Sequence, residues 1–296
     1  LSFVNISDEE VENTMFEAAE NKFLEDDSKK AIKGFEKYIK KFPNGSHALK
    51  ANFYLAQLLS KDGKKEDATK NYEYIVAQNQ NEFSEEALNR LSQIYLEKEN
   101  WNAAMPLLAR LELEANYPQN IIYAQRNLMK GYYESEQYEK AVAYAEKVLN
   151  GDKLEAQIEN DAKIIVARAA FKTDDFDKAE EFYTEVGRNA TGELKAESLY
   201  YDAFFKHQNK EYADSNKVIQ NLIAKYASYK YWGVKSYVIM AKNYYKLKDA
   251  YQATYILENI IKNFKQYEDI LKEAESELKK IKNNEAKTNE SVTPQN

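Results

Sequence analysis

Side chains that commonly carry out chemistry are sparse in this sequence. Its 296 residues include no cysteine and two histidines, His47 and His207. The lack of cysteine excludes thiol nucleophiles, disulfides and thiolate metal sites. No His-Glu-x-x-His metal motif, phosphate-binding glycine loop or nucleophile elbow is present. We therefore predict that the protein is not an enzyme and that it uses no cofactor and no metal ion.

Paired carboxylates are the remaining candidates for acid–base chemistry. Glycosidases use two such groups, and clustered carboxylates can also bind Ca²⁺. The pairs Asp174-Asp175 and Glu180-Glu181, however, fall in a polar turn and on a polar helix face, where water solvates them. No twelve-residue calcium loop surrounds Asp174, Asp175 and Asp177, so we predict that these residues cap a helix.

The composition favours a helical protein. Glycine occurs 8 times and proline 4 times, whereas sheet-rich folds use more of both in their turns. No run of 18 apolar residues is present, so we predict no transmembrane segment in this chain.

Charge is distributed unevenly around a net value of −7. Residues 1–199 contain 26 basic and 37 acidic side chains, whereas residues 200–282 contain 15 and 10. The acidic body argues against nucleic acid as a partner, because phosphate binding requires concentrated Lys and Arg. The basic C-terminal third suits an acidic protein partner, although a solvated helix surface explains the same charges.

A small residue recurs every 36 to 38 residues at the start of an apolar helical pattern. The seven anchors are Ala31, Ala68, Ala104, Ala141, Ala179, Ser215 and Ala253. Apolar residues follow the anchors at i+4 and i+7, which is the period of an amphipathic helix. A second apolar-periodic stretch precedes each anchor, separated from it by a short polar turn. Each unit is therefore predicted to be a helix, a turn and a second helix.

A second set of small residues lies twelve positions before the anchors. Its members are Ala19, Ala56, Ser92, Ala167, Ala203 and Ala241, with Met129 as the exception. Small side chains on both helices would let the two backbones approach closely. An aromatic residue three positions before the anchor, as at Trp101, Tyr138, Phe176 and Tyr212, would fill the gap at the turn.

This spacing of small and aromatic residues resembles the tetratricopeptide repeat over about residues 13–265. The resemblance implies an all-α, right-handed superhelical solenoid of about seven helical hairpins. The period exceeds the usual 34 residues, and the Trp and Leu-Gly of the strict pattern are absent. Pro106 is expected to kink or delay its helix. The family's carboxylate clamp is not implied either, because Phe16 and Glu20 occupy its Lys and Asn positions.

Three segments also resemble the C-terminal repeat region of large multi-repeat proteins exported by Gram-negative bacteria. They are residues 16–57, 229–261 and 268–281. This resemblance implies a bacterial cell-envelope protein, periplasmic or associated with the outer membrane, although a cytoplasmic location stays open.

The sequence predicts three parts. Residues 1–12 lack a helical period, and the apolar Leu1, Phe3, Val4 and Ile6 suggest the end of an upstream repeat. Residues 13–282 are predicted to form the repeat solenoid, closed by a charged capping helix. Residues 283–296 contain almost no apolar side chain to bury and are predicted to be disordered.

In such a solenoid the first helix of every hairpin lines the concave side. Residues 15, 11 and 8 positions before each anchor should point into this groove. The predicted groove residues are Phe53, Gln57, Gln93, Arg126, Lys130, Tyr133, Arg168, Phe171, Tyr200, Phe204, His207, Lys242 and Tyr245. Aromatic and cationic side chains commonly anchor protein partners, and Arg126, Lys130 and Arg168 could each hold a carboxylate of a ligand.

We therefore predict a non-catalytic scaffold that binds a protein or peptide in the groove for a cell-envelope assembly. One alternative is a structural segment of a longer repeat array with no ligand of its own. The other is a glycan-acting enzyme on a helical toroid, using acids such as Glu134 or Asp161.

Overall fold

The computed structural model describes residues 7–151 and 154–292, with side chains described through residue 287. Over these residues the chain forms fifteen α-helices and no strand. It divides into two compact units, residues 1–158 (unit 1) and 159–296 (unit 2). The apolar residues Leu1, Phe3, Val4 and Ile6, assigned above to an upstream repeat, lie outside the described residues.

The helices follow one another in short succession. Unit 1 contains α1 (Asp8–Leu24), α2 (Ser28–Lys41), α3 (Ala48–Lys61), α4 (Lys65–Val76), α5 (Ser84–Glu97), α6 (Trp101–Glu114), α7 (Pro118–Glu134) and α8 (Tyr138–Leu149). Unit 2 contains most of α9 (Ala156–Lys172), followed by α10 (Phe176–Asn189), α11 (Gly192–Gln208), α12 (Tyr212–Lys225), α13 (Lys230–Lys246), α14 (Ala250–Asn263) and α15 (Glu268–Val292). Each odd-numbered helix from α1 to α13 packs against the even-numbered helix that follows it, and the two form a hairpin. The seven predicted hairpins and the additional C-terminal helix are confirmed.

The small residues lie where the two helices of a hairpin meet. All seven anchors are fully buried, and so are the residues twelve positions earlier, Met129 included. At Gly34, an added Cβ would lie 2.7 Å from the Cβ of Ala19, so α1 and α2 are in near backbone contact. The positions four and seven after an anchor are buried too, as at Leu257 and Ile260.

Each hairpin turn contains one residue in the left-handed region, five positions before the anchor. These residues are Asp26, Gly63, Glu99, Glu136, Asp174, Lys210 and Lys248, with φ between 55° and 77°. A residue with a side chain has a higher conformational energy in this region than glycine does. Only the second of these turns nevertheless has glycine.

The residue that follows the left-handed position often caps the second helix. The side chains of Asp27, Asn100, Asp175 and Asp249 each accept a hydrogen bond from a backbone N–H of the first turn. The capping role predicted around Asp174 and Asp175 is therefore confirmed for Asp175, whereas Asp174 forms the turn itself.

Three details differ from the sequence prediction. The first helix starts at Asp8, inside the segment 1–12, because Ser7 and Glu10 form a capping box that satisfies its first N–H groups. Helix α15 runs to Val292 through residues predicted to be disordered, since no glycine or proline interrupts it and extending a helix costs little. Pro106 lies inside α6, which still starts at Trp101 because Asn100 caps it.

The turn geometry predicts opposite responses at equivalent positions of two turns. Gly63→Ala places a Cβ in a left-handed conformation and should lower the free energy of unfolding by about 1 kcal/mol. Glu136→Gly makes the reverse change in the same unit and should not destabilise the protein. Urea unfolding followed by circular dichroism measures both. Equal destabilisation by the two substitutions would contradict the assignment of strain to this position.

Candidate functional site

The predicted groove residues of unit 1 lie on α3, α5 and α7. Phe53 is buried and stacks on Phe83, with 4.4 Å between ring centroids, so it packs within the hairpin array. Tyr133 contacts Tyr138 at 5.7 Å between centroids. Gln57, Arg126 and Lys130 are half-buried.

An amide network surrounds Gln93. Its Nε2 donates to Asn89 Oδ1 at 2.6 Å, and Asn89 Nδ2 donates to Asn120 Oδ1 at 2.8 Å. Asn120 Nδ2 in turn donates to Glu85 Oε1 at 2.7 Å. These residues line a polar pocket of about 650 Å³ between α5 and the loop that connects α6 to α7. The first-helix surface here is polar and internally hydrogen-bonded.

In unit 2 the predicted aromatic residues come together. Phe171 of α9 contacts Phe204 of α11 at 5.1 Å and Phe176 of α10 at 5.4 Å between ring centroids. Phe176 also contacts Phe204 at 6.0 Å and is 39% exposed. We call Phe171, Phe176 and Phe204 the aromatic cluster. Sequence reasoning named Phe171 and Phe204 for the groove, and assigned Phe176 only to packing at the turn.

The charged groove residues of unit 2 already have partners within the chain. Arg168 forms a bidentate ion pair with Glu197, in which the Nε–Oε1 distance is 2.8 Å and the Nη2–Oε2 distance is 2.6 Å. Glu197 is buried and also accepts a hydrogen bond from Tyr183 Oη at 3.1 Å. The Arg168 guanidinium was predicted to bind a carboxylate of a ligand. In the structure it binds the carboxylate of Glu197, which lies on α11, the first helix of the next hairpin.

The remaining polar groove residues make similar contacts to the next odd-numbered helix. Lys242 Nζ pairs with Glu273 Oε1 at 2.6 Å, and Tyr245 Oη donates to Glu285 Oε1 at 3.1 Å. His207 Nδ1 lies 2.6 Å from Asn243 Oδ1. Tyr200 is buried against Trp232, with 5.5 Å between ring centroids.

Sequence reasoning missed Lys235 of α13. It lies eighteen positions before the anchor Ala253, one helical turn before the predicted groove positions. Its ammonium faces the rings of Tyr200, Tyr231 and Trp232. The signal in the sequence was the run of aromatic residues around it, which repeats at helical spacing.

The described residues offer little for other chemistry. No group of three or more His, Asp or Glu side chains among them is placed to hold a metal ion. None of the helices in the described part of the chain is long and apolar enough to cross a membrane.

Comparison with known proteins finds similar helical repeats. Residues 4–121 match the tetratricopeptide repeat-like domain family. The C-terminal part of a tetratricopeptide repeat-containing protein from Cytophaga hutchinsonii aligns with a TM-score of 0.53 at 15% identity, covering 87% of this chain and 98% of that one. A Pyrococcus horikoshii signal transduction ATPase with a tetratricopeptide repeat sensor also aligns at 0.53, with 17% identity over 91% of this chain and 44% of that one. No curated protein sequence matches.

The fold therefore defines a protein built from repeated helical hairpins. More specifically, residues 4–121 match a tetratricopeptide repeat-like domain, and the fold is similar to that of a solved tetratricopeptide repeat-containing protein, as the sequence resemblance indicated.

The ion pair of Arg168 predicts a structural penalty for its removal. Arg168→Met leaves the buried Glu197 carboxylate without its cation and should lower the free energy of unfolding by about 2 kcal/mol. Lys217→Met removes an exposed partner of Asp214 in the same unit and should leave stability unchanged. Thermal and urea unfolding compare the two variants. An Arg168→Met variant as stable as the wild type would show that the pair is not required for the fold.

Proposed function

We propose that this chain is a non-catalytic scaffold that binds a protein or peptide on the first-helix surface of unit 2. The observation that carries the proposal is the aromatic cluster, in which three rings from successive helices share one partly exposed surface. Aromatic side chains supply large contact areas, and they dominate the energetics of many protein interfaces.

An ion pair lies on the helices that carry this apolar surface. The Arg168–Glu197 pair lies on the same two first helices as Phe171 and Phe204. A central apolar patch with a polar rim is the usual anatomy of a protein interface. Because the rings are held by one another, little side-chain entropy is lost when a partner covers them.

The proposed setting is a bacterial cell-envelope assembly. Its support is the resemblance of residues 16–57, 229–261 and 268–281 to exported multi-repeat proteins. Cell fractionation with an antibody to this chain tests the setting independently of binding. Recovery in the cytosol alone would refute it.

Paired aromatic substitutions test the binding surface. Phe176→Ser with Phe204→Ser removes two rings of the aromatic cluster, so binding of a captured partner should weaken about tenfold or more. The matched control is Tyr251→Ser with Tyr255→Ser, which removes two exposed rings from α14. Affinity capture and titration are performed with all three proteins, and circular dichroism checks that each is folded.

The outcomes separate the proposal from its alternative. Loss of the partner in the Phe176/Phe204 variant alone supports binding at the aromatic cluster. Equal retention by both variants, or no partner at all, favours a structural segment of a longer array.

A further inference from the structure

The polar pocket of unit 1 lies apart from the residues proposed above to bind a partner. Its volume of about 650 Å³ is typical of small-molecule sites, which commonly measure about 300–1,000 Å³. Such sites are usually lined by apolar side chains. Here every lining residue except Tyr117 has a polar or charged side chain. The size of the pocket therefore suits a small ligand, and its lining suits a ligand rich in hydroxyl groups.

Three amide side chains that line the pocket are held in one chain of hydrogen bonds. Gln93 Nε2 donates to Asn89 Oδ1, and Asn89 Nδ2 donates to Asn120 Oδ1. Each amide has two N–H donors and uses one of them in this chain. The second N–H of each amide, and the side-chain oxygen of Gln93, have no partner among the described residues. The pocket therefore presents both donors and acceptors in fixed positions.

Glu85 of α5 fixes the loop on the opposite side of the pocket. Its carboxylate accepts hydrogen bonds from the backbone N–H groups of Asn116 at 2.9 Å and Tyr117 at 3.1 Å. It also accepts the 2.7 Å hydrogen bond from Asn120 Nδ2 that ends the amide chain. Because these groups are already ordered by one another, a ligand that binds here loses little free energy to ordering the protein.

Tyr117 supplies the one apolar surface of the pocket. Its side chain is 61% exposed, and it makes no cap hydrogen bond although it stands at the N-terminus of α7. A pyranose ring carries C–H groups on its faces and hydroxyl groups around its edge. The C–H groups stack on the electron-rich face of an aromatic ring. One sugar can therefore cover the Tyr117 ring while its hydroxyl groups reach the amides.

Charge in the lining discriminates between saccharides. The lining contains one arginine and four glutamates, namely Arg90, Glu82, Glu85, Glu86 and Glu114. An excess of negative charge repels an acidic ligand. A neutral hydroxyl group, in contrast, donates a strong hydrogen bond to a carboxylate oxygen. A neutral sugar is therefore favoured over a uronic acid or a sugar phosphate.

We propose that the polar pocket binds a neutral saccharide. A pyranose ring stacks on Tyr117, and its hydroxyl groups exchange hydrogen bonds with the amides of Asn89, Gln93 and Asn120. The site adds a second class of ligand to the function proposed above and does not depend on it. Because each hydroxyl group gives up hydrogen bonds to water on binding, the affinity for a single sugar is weak and multivalent display is needed to detect it.

A glycan array displays sugars in this multivalent form. The array carries glucose beside glucuronic acid, galactose beside galacturonic acid, and N-acetylglucosamine as a further neutral sugar. The intact chain is presented as a tetramer on streptavidin through a terminal biotin tag. We expect it to be retained on at least one neutral sugar and not on the matching uronic acid.

Two variants each remove one part of the site. Tyr117→Ser removes the ring, and Gln93→Met removes an amide at constant volume, so each should weaken binding of the retained sugar about tenfold or more. Tyr255→Ser removes a similarly exposed ring from unit 2, and Gln119→Met removes an exposed amide that does not line the pocket. Both controls should bind as the wild type does, and circular dichroism checks that all four variants are folded.

Nuclear magnetic resonance of the sugar detects the stacking itself. The C–H protons that lie over the Tyr117 ring should move upfield as unlabelled protein is added. Tyr117→Phe keeps the ring and should retain this shift, whereas Tyr117→Ser should abolish it. A ring needed only for folding would not produce the shift.

The results separate this site from the aromatic cluster of unit 2. Selective retention of a neutral sugar, with an upfield shift that requires a ring at position 117, supports the saccharide site. Retention of no sugar, or equal retention of a sugar and its uronic acid, would overturn it. So would binding that survives either Tyr117→Ser or Gln93→Met. None of these results affects the test of the aromatic cluster, which uses other residues and another ligand.

Discussion

The fold depends on close contact between the two backbones of each hairpin. That contact requires a small side chain on the second helix and, in all but one hairpin, another twelve positions earlier on the first. In the hairpin where Met129 replaces the small residue, the preceding helix α6 approaches α7 closely at Gly131, where an added Cβ would collide with Met105 and Trp101. A hairpin held this closely exposes an apolar face on each side, so it is stable only when a neighbouring hairpin covers that face.

Stacking at a constant period has a consequence for the surface. It places equivalent positions of successive first helices side by side, so one helical stripe can be built from residues far apart in the chain. The first helices of each unit carry different side chains. Unit 1 carries an amide network around Asn89 and Asn120, whereas unit 2 carries aromatic rings and ion pairs. The repeat fixes where side chains are displayed, and the individual residues decide what they bind.

The period, the hairpins and the buried anchors could all be predicted from the sequence, because each follows from local spacing. A binding role for the groove residues stays a prediction, but their placement on first helices could be predicted for the same reason. Their partners could not, since Arg168, His207 and Lys242 each contact a residue about one repeat further along the chain. Lys235 was missed because a lysine one turn before the predicted stripe is ordinarily solvated. Tyr231 and Trp232 lie on the same helix as Lys235, and the packing of α11 against α13 adds the ring of Tyr200.

The polar contacts between successive first helices limit how this array can change in evolution. Deleting or duplicating one hairpin would preserve the spacing of the anchors and hence the backbone contacts. It would also bring together first helices whose charges do not match, leaving a buried carboxylate such as Glu197 opposite the wrong residue. Each hairpin of unit 2 is therefore specific to its position in the order, and the array can gain or lose a hairpin only together with new side chains on the helices beside it.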